Sequence, residues 1–143
     1  MIDSAEDDIE LEEGQFLLLD VSVNFDWSEF PGAAEANWFE TMDNGALILA
    51  GTGGLSAGVR LETWDAQPPP PIPGEWQDNV SSQMFSESGE VCVGTLSLLT
   101  QTAYLMLGVE DKTWHVRAHR RLTSDRDRSE EYLFQFWQLQ ERD

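Results

Sequence analysis

The strongest constraint on what this chain can fold into is a repeated two-residue period. From Thr113 to Leu122, Trp114, Val116, Ala118 and Leu122 alternate with His115, Arg117, His119 and Arg121. Alternation of this kind puts apolar side chains on one face of an extended strand and polar ones on the other. The same period runs through residues 16–27, where Leu17, Leu19, Val21, Val23, Phe25 and Trp27 interleave with Leu18, Asp20, Ser22, Asn24 and Asp26, as in a half-buried strand.

Further strands are expected at 46–50, 59–64, 80–85, 91–99, 104–109 and 132–139. Turn residues such as Asn44-Gly45, Ser88-Gly89, Glu110-Asp111 and Ser124–Ser129 separate several of them. Residues 28–44, with Ala33, Ala34, Ala36 and Trp38, hold the one helical candidate before the C-terminus. A parallel α/β sheet needs repeated crossover helices, and none recur. The expected fold is all-β, an antiparallel β-sandwich of about eight strands with little helix. The last strand is apolar on both faces (Tyr132, Phe134 and Phe136 against Leu133, Trp137 and Leu139), so it is central or covered by a partner surface, and self-association stays open.

Residues 1–13 are dense in acids and read as a tail or an edge segment; residues 14–143 read as one domain. Within it, residues 66–79 carry the run Pro68 to Pro71 followed by Pro73-Gly74. Such a run cannot donate to a ladder and favours polyproline II, so a stiff crossover between two sheets is expected. A docking ligand for an SH3-type domain would want a basic flank that this run lacks.

Charge is distributed unevenly. Of 27 acidic and 8 basic residues, the first 111 positions hold every acid but six and only one base, Arg60. An anionic field of this kind repels nucleic acid and anionic membrane and speeds encounter with cationic partners. Direct nucleic-acid binding is disfavoured, and a basic protein surface is the favoured partner; solubility alone is the bland explanation. No run of about 18 apolar residues suits a membrane span. The acidic opening Met1-Ile2-Asp3-Ser4 lacks the basic region of a secretory signal, and the lone Cys92 excludes an intrachain disulfide, so a cytoplasmic setting is expected.

Catalytic motifs are sparse. Gly54-Leu55-Ser56-Ala57-Gly58 matches a nucleophile elbow, which needs a strand, a tight turn and then a helix. Residues 59–64 continue as a strand, so a small serine hydrolase using Ser56 is the alternative reading, and an enzyme is not expected. The nearby glycines precede no Lys-Ser/Thr pair of a phosphate loop. His115 and His119 on one strand lie roughly 13 Å apart, at about 3.3 Å per residue, too far to share a metal. Asp125, Asp127, Glu130 and Glu131 lack the glycine of a calcium loop and are interrupted by arginines. Cys92, among Val91, Val93 and Leu96, is expected to be a packed thiol. No cofactor or metal is therefore expected.

The basic stripe His115, Arg117, His119 and Arg121 either pairs with neighbouring acids or recognises an anionic group. The candidate binding residues are Asp7, Asp8, Glu10, Glu12 and Glu13 on the acidic segment, Trp38 and Trp64 as aromatic anchors, and this stripe.

The stretch Trp114 to Arg121, followed by Glu130-Glu131-Tyr132-Leu133-Phe134-Gln135-Phe136-Trp137, resembles the closing hairpin of small bacterial β-sandwich proteins. More distantly it is similar to the competence-associated nuclease-inhibitor (Nin/ComJ-type) group. The resemblance covers about a fifth of the chain and implies an all-β inhibitor or immunity-type protein. It carries over no functional residue. The leading expectation is an acidic binding protein that masks a basic surface of a nuclease, toxin or other nucleic-acid-binding protein, as a nucleic-acid mimic does. A structural or small-ligand-binding sandwich is the third alternative.

Overall fold

The computed structural model describes residues 1–23, 38–50, 56–122 and 130–138, with the side chain of Leu122 left aside. The helical candidate up to residue 37, the strand expected at 24–27, the glycine run 51–55, the turn 124–129 and Leu139 lie outside the described residues.

The described residues form ten strands in two five-stranded sheets and no helix. Sheet A comprises β1 (Asp3–Glu10), β5 (Ser56–Trp64), β10 (Glu130–Gln138), β9 (Lys112–Leu122) and β6 (Asp78–Ser86), in that spatial order. Sheet B comprises β3 (Phe39–Met42), β4 (Gly45–Leu49), β2 (Gln15–Asp20), β7 (Glu90–Gly94) and β8 (Gln101–Met106), also in that order.

Two of the ten strands exceed the expected eight. Residues 3–10, left open as tail or edge, pair with β5 along the whole of β1, from Asp3 opposite Thr63 to Glu10 opposite Ser56. Phe39–Met42 is too short to show a period, and it is fixed by pairing with β4. The pairing is mostly antiparallel, as expected, but β10 runs parallel to β5.

One cluster of buried side chains draws on both sheets. Sheet A contributes Ile9, Val59, Leu61, Trp114, Val116, Tyr132, Phe134 and Phe136, while sheet B contributes Phe16, Leu18, Phe39, Ile48, Val91, Val93 and Leu105. The alternation read on β9 holds, since Trp114, Val116 and Ala118 all belong to this cluster. Strand β2 is buried on both faces rather than one. Leu17 and Leu19 join Leu47 and Cys92 in a second cluster, packed by Val21, Val23, Leu96 and Leu98. Within it Cys92 is fully buried, and burial, reinforced by the charges of Glu90 and Asp20, pushes its thiol up to about 12. It is a packed thiol.

Two boundaries differ from expectation for local reasons, and the expected turn at Ser88-Gly89 is present. Strand β2 stops at Asp20 because its carboxylate accepts from the Ser22 amide at 2.8 Å and turns the chain, after which Val23 adopts φ 55°. Strand β7 ends at Gly94 because the Thr95 amide donates to the Thr100 carbonyl, closing a loop in which Leu98 takes φ 62°. Gly89 turns β6 into β7 with φ +76°, and a Cβ there would sit 2.7 Å from the Val109 carbonyl oxygen, so only glycine fits.

Asp20 also ties the sheets' loops together. Fully buried, it accepts from the Ser86 hydroxyl at 2.5 Å and from the Ser88 amide and hydroxyl, both at 2.9 Å. Burial alone would raise its pKa, but these donors and the Ser22 amide outweigh it and hold the carboxyl below its ordinary value. Replacement by alanine orphans several donors and is expected to cost about 2–3 kcal/mol. Because the folded value is depressed, the contribution is fully present above the ordinary 3.8 and disappears as pH falls through the folded value. Urea unfolding of wild type and Asp20→Ala, compared at pH 7 and near pH 3, checks this: the gap between them should narrow in acid.

Candidate functional site

The outer face of sheet A collects most of the residues that carry chemistry. Core-facing and outward residues alternate on each strand, so Gly58, Arg60, Glu62 and Trp64 of β5, Glu131, Leu133, Gln135 and Trp137 of β10, and His115, Arg117, His119 and Arg121 of β9 share this face. Across it run rows fixed by register: Glu6–Arg60–Leu133–His119, then Ser4–Glu62–Gln135–Arg117.

A continuous chain of hydrogen bonds crosses the second row. Arg60 Nε donates to Glu62 Oε2 at 2.8 Å, and Trp64 Nε1 donates to Glu62 Oε1 at 3.0 Å. Gln135 Nε2 donates to the same Oε1 at 3.1 Å, which turns Gln135 Oε1 toward β9. There it receives Arg117 Nε at 3.3 Å and His119 Nε2 at 3.0 Å. Burial works against the Glu62 carboxylate, but its hydrogen bonds from Arg60, Gln135 and Trp64 prevail and lower its pKa.

The proline segment lies over this layer. It leaves β5 and returns as β6, so it bridges two strands of sheet A rather than two sheets. Since β10 runs parallel to β5 and antiparallel to β9, which in turn is antiparallel to β6, strands β5 and β6 are parallel, and their connection must cross the sheet. The carbonyls of Pro68 and Pro69, with no ladder partner, accept from Arg117 at 2.9 and 3.0 Å. Trp76 lies against His119 at 5.5 Å between ring centroids, and Arg121 sits 4.4 Å above the Trp76 ring. Farther along, His115 stacks on Trp137 at 5.1 Å.

The two histidines thus pack on different tryptophans, and among the described residues no group of three or more His, Cys, Asp or Glu side chains could hold a metal. Of the basic stripe, Arg117 and His119 are 7% and 1% exposed. Their partners are Gln135 and the proline carbonyls, while Arg121 pairs with Glu131 directly across β9 and β10 at 3.1 Å.

With Gln135 Oε1 as the acceptor, His119 Nε2 carries a proton, and among the described residues its buried Nδ1 has no hydrogen-bond partner. Burial, with Arg117 beside it, holds its pKa below the ordinary 6.5 despite the Gln135 bond and the charges of Glu62 and Glu75. The unfolded chain then takes up a proton that the folded one refuses. Stability is therefore full above pH 6.5 and declines as pH falls below it. Between pH 7 and 5.5 the loss is at most about 1.3 kcal/mol. His119→Phe should flatten this slope in chemical denaturation; an unchanged slope would remove His119 as its source.

The acidic residues do not form a single patch. Asp7, Asp8 and Glu10 are exposed on β1, but the Asp7 carboxylate accepts from Thr102 of β8, while Glu12 accepts the Ser97 amide and hydroxyl at 2.9 and 2.7 Å. These bonds lower the pKa of both. Glu13 is exposed in the turn before β2, at φ 54°. Trp38 is 7% exposed and packs on Tyr132 at 5.9 Å beneath the Arg120 guanidinium, so it belongs to the core. Trp64 is half-buried on the outer face, opposite Trp137.

Sequence reasoning did not single out Glu62, Gln135, Trp76 or Trp137. The polar positions of 60–64 were visible as an alternation, but the return of Trp76 onto His119 depends on a crossover that no local pattern reveals. Ser56 opens β5 and the chain continues as strand to Trp64, so no helix follows it as an elbow requires.

These features define a class: an all-β protein of two five-stranded sheets, with an acidic edge strand and a strapped polar layer on one face. Among solved structures, the chain is similar to ComJ from Bacillus subtilis, described as an inhibitor of the DNA-degrading activity of NucA. The TM-score is 0.71 at 9% identity, covering 97% of this chain and 99% of that one. It is also similar to the protein described as Crocagin biosynthetic gene J, with a TM-score of 0.56 at 11% identity over 96% and 98% of the two chains. No family model matches the chain, and no curated protein matches it in sequence. The distant resemblance to ComJ-type inhibitors read from the closing hairpin therefore extends, as a likeness of fold, over nearly the whole chain.

Proposed function

We propose that the chain is an inhibitor or immunity-like binding protein that masks a basic surface of a nuclease, toxin or other nucleic-acid-binding protein. The observation that carries this reading is the acidic edge strand: β1 closes sheet A on one side and exposes Asp3, Glu6, Asp7, Asp8 and Glu10. An edge of this kind rejects nucleic acid and offers carboxylates where a phosphate backbone would otherwise lie on a cationic partner. The fold likeness to a nuclease inhibitor supports the same direction. The two sheets are taken as the layers of a sandwich, working as a rigid scaffold in the cytoplasm, and the mechanism is steric and electrostatic, with no bond made or broken.

The test is DNA degradation by a basic nuclease, NucA among the first tried, in the presence of increasing amounts of the full chain. Stoichiometric loss of cleavage, with no hydrolysis product of the nuclease itself, supports inhibition by binding. Unaltered cleavage by NucA and by the nucleases and toxins of the native host would defeat the proposal.

A further inference from the structure

The rows of side chains on the outer face of sheet A are interrupted at Gly58. In the register of the sheet, Asp8 of β1 stands on one side of it and Glu131 of β10 on the other, with Arg121 beyond Glu131. A missing side chain in mid-row leaves a hollow, and a groove of about 390 Å³ opens there. Its lining includes the acids Glu6, Asp7, Asp8 and Glu131, the bases Arg60 and Arg121, and Trp76.

The walls already hold the chain's own guanidinium groups. Arg121 lies 4.4 Å over the Trp76 ring and 3.1 Å from Glu131 Oε2. Arg60 bonds Glu62 at 2.8 Å and reaches Glu6 at 3.4 Å. A carboxylate beside an aromatic face is the pairing that suits a planar cation. While bonded to Arg60, the Glu6 side chain stays 72% exposed, so a second cation can reach it from solvent. An anion entering the groove would instead meet a lining with four acids, with both arginines already held by acids.

We propose that the groove over Gly58 receives one arginine or lysine side chain of a basic partner. The inference rests on the reading of the chain as a protein that masks a basic surface, and it locates a contact point for that surface between β1 and β10. The one base before residue 112, Arg60, is held by Glu62 and Glu6, so the approach to the groove from β1 and β5 carries an excess of negative charge that suits such an occupant.

The test uses the full chain labelled with nitrogen-15, titrated at low salt with an arginine nonapeptide and, separately, with inorganic phosphate. The peptide should move the Trp76 indole N–H resonance to saturation, and phosphate should not. Asp8→Asn with Glu131→Gln should weaken peptide binding by about fivefold or more. Asp43→Asn with Glu110→Gln removes the same charge at exposed positions away from the groove and should weaken it by less than about twofold. Glu6→Gln with Asp8→Asn leaves the Arg121–Glu131 pair intact, so it gives the same comparison if the first pair perturbs the fold. Equal losses in groove and control variants, or peptide binding that leaves Trp76 unmoved, would overturn the groove while keeping the basic-partner reading. A Trp76 response to phosphate would reverse the sign of the site and overturn it. No peptide binding under any low-salt condition would overturn both the groove and the reading on which it rests.

Discussion

Phe134→Ala is expected to cost about 3–5 kcal/mol, a large fraction of the roughly 5–15 kcal/mol that holds a typical domain folded. The ring is fully buried on β10, the central strand of sheet A. It meets Phe16 of β2 at 6.3 Å in an edge-on arrangement, Phe39 of β3 at 5.7 Å, and lies parallel to Tyr132 at 6.2 Å. Truncation removes apolar burial and leaves a cavity that strands from two sheets would have to move together to fill. Tyr132 beside it cannot tilt freely, because its hydroxyl donates to the buried Glu130 carboxylate. Equilibrium denaturation monitored by tryptophan fluorescence checks the value. A loss under about 1 kcal/mol would mean that the two sheets do not depend on this contact. Phe134→Leu keeps more of the volume and should retain more of the stability.

Association with the basic partner should slow by roughly tenfold to a thousandfold as ionic strength rises from about 0.01 M to 0.15 M. Over that interval the screening length contracts from about 30 Å to 8 Å, so the long-range attraction of the acidic edge strand disappears before docking contacts do. The dissociation rate should change far less. Stopped-flow mixing at several salt concentrations separates the two. Replacing Asp8, Glu10 and Glu13 with their amides should reduce the salt dependence. Asp7 and Glu12 serve the test less cleanly, since their carboxylates also bond Thr102 and Ser97. An on-rate indifferent to salt, or a partner whose contact surface is acidic or apolar, would leave the acidity as a solubility device and remove the main support for inhibition.

Each face of β9 is legible in sequence because a strand's period is local: Trp114, Val116 and Ala118 must point opposite to His115, Arg117 and His119 wherever the strand packs. The candidate site was legible only in part for the same reason. Alternation says that Arg117 and His119 share a face, but the proline carbonyls and Gln135 that occupy them come from residues 16 to 49 positions away. Asp20 shows the limit from the other side. It reads as a polar residue opposite an apolar row, yet it shares the parity of Leu18 and is fully buried, because Ser86 and Ser88 arrive from another loop to satisfy it.

By itself, the sequence determined the β class, the alternation on its long strands, the position of the stiff proline segment and the unequal division of charge. Those properties follow from backbone sterics and side-chain chemistry over a few residues. Only the tertiary structure decided that an acid-rich segment with Ile9 as its one fully buried side chain becomes edge strand β1, that β10 joins β5 in parallel, and that the proline segment folds back over Arg117. These outcomes depend on pairings between distant residues. A strand carries its period within itself, but its neighbour and register are settled by which surfaces are left to bury once the core has formed.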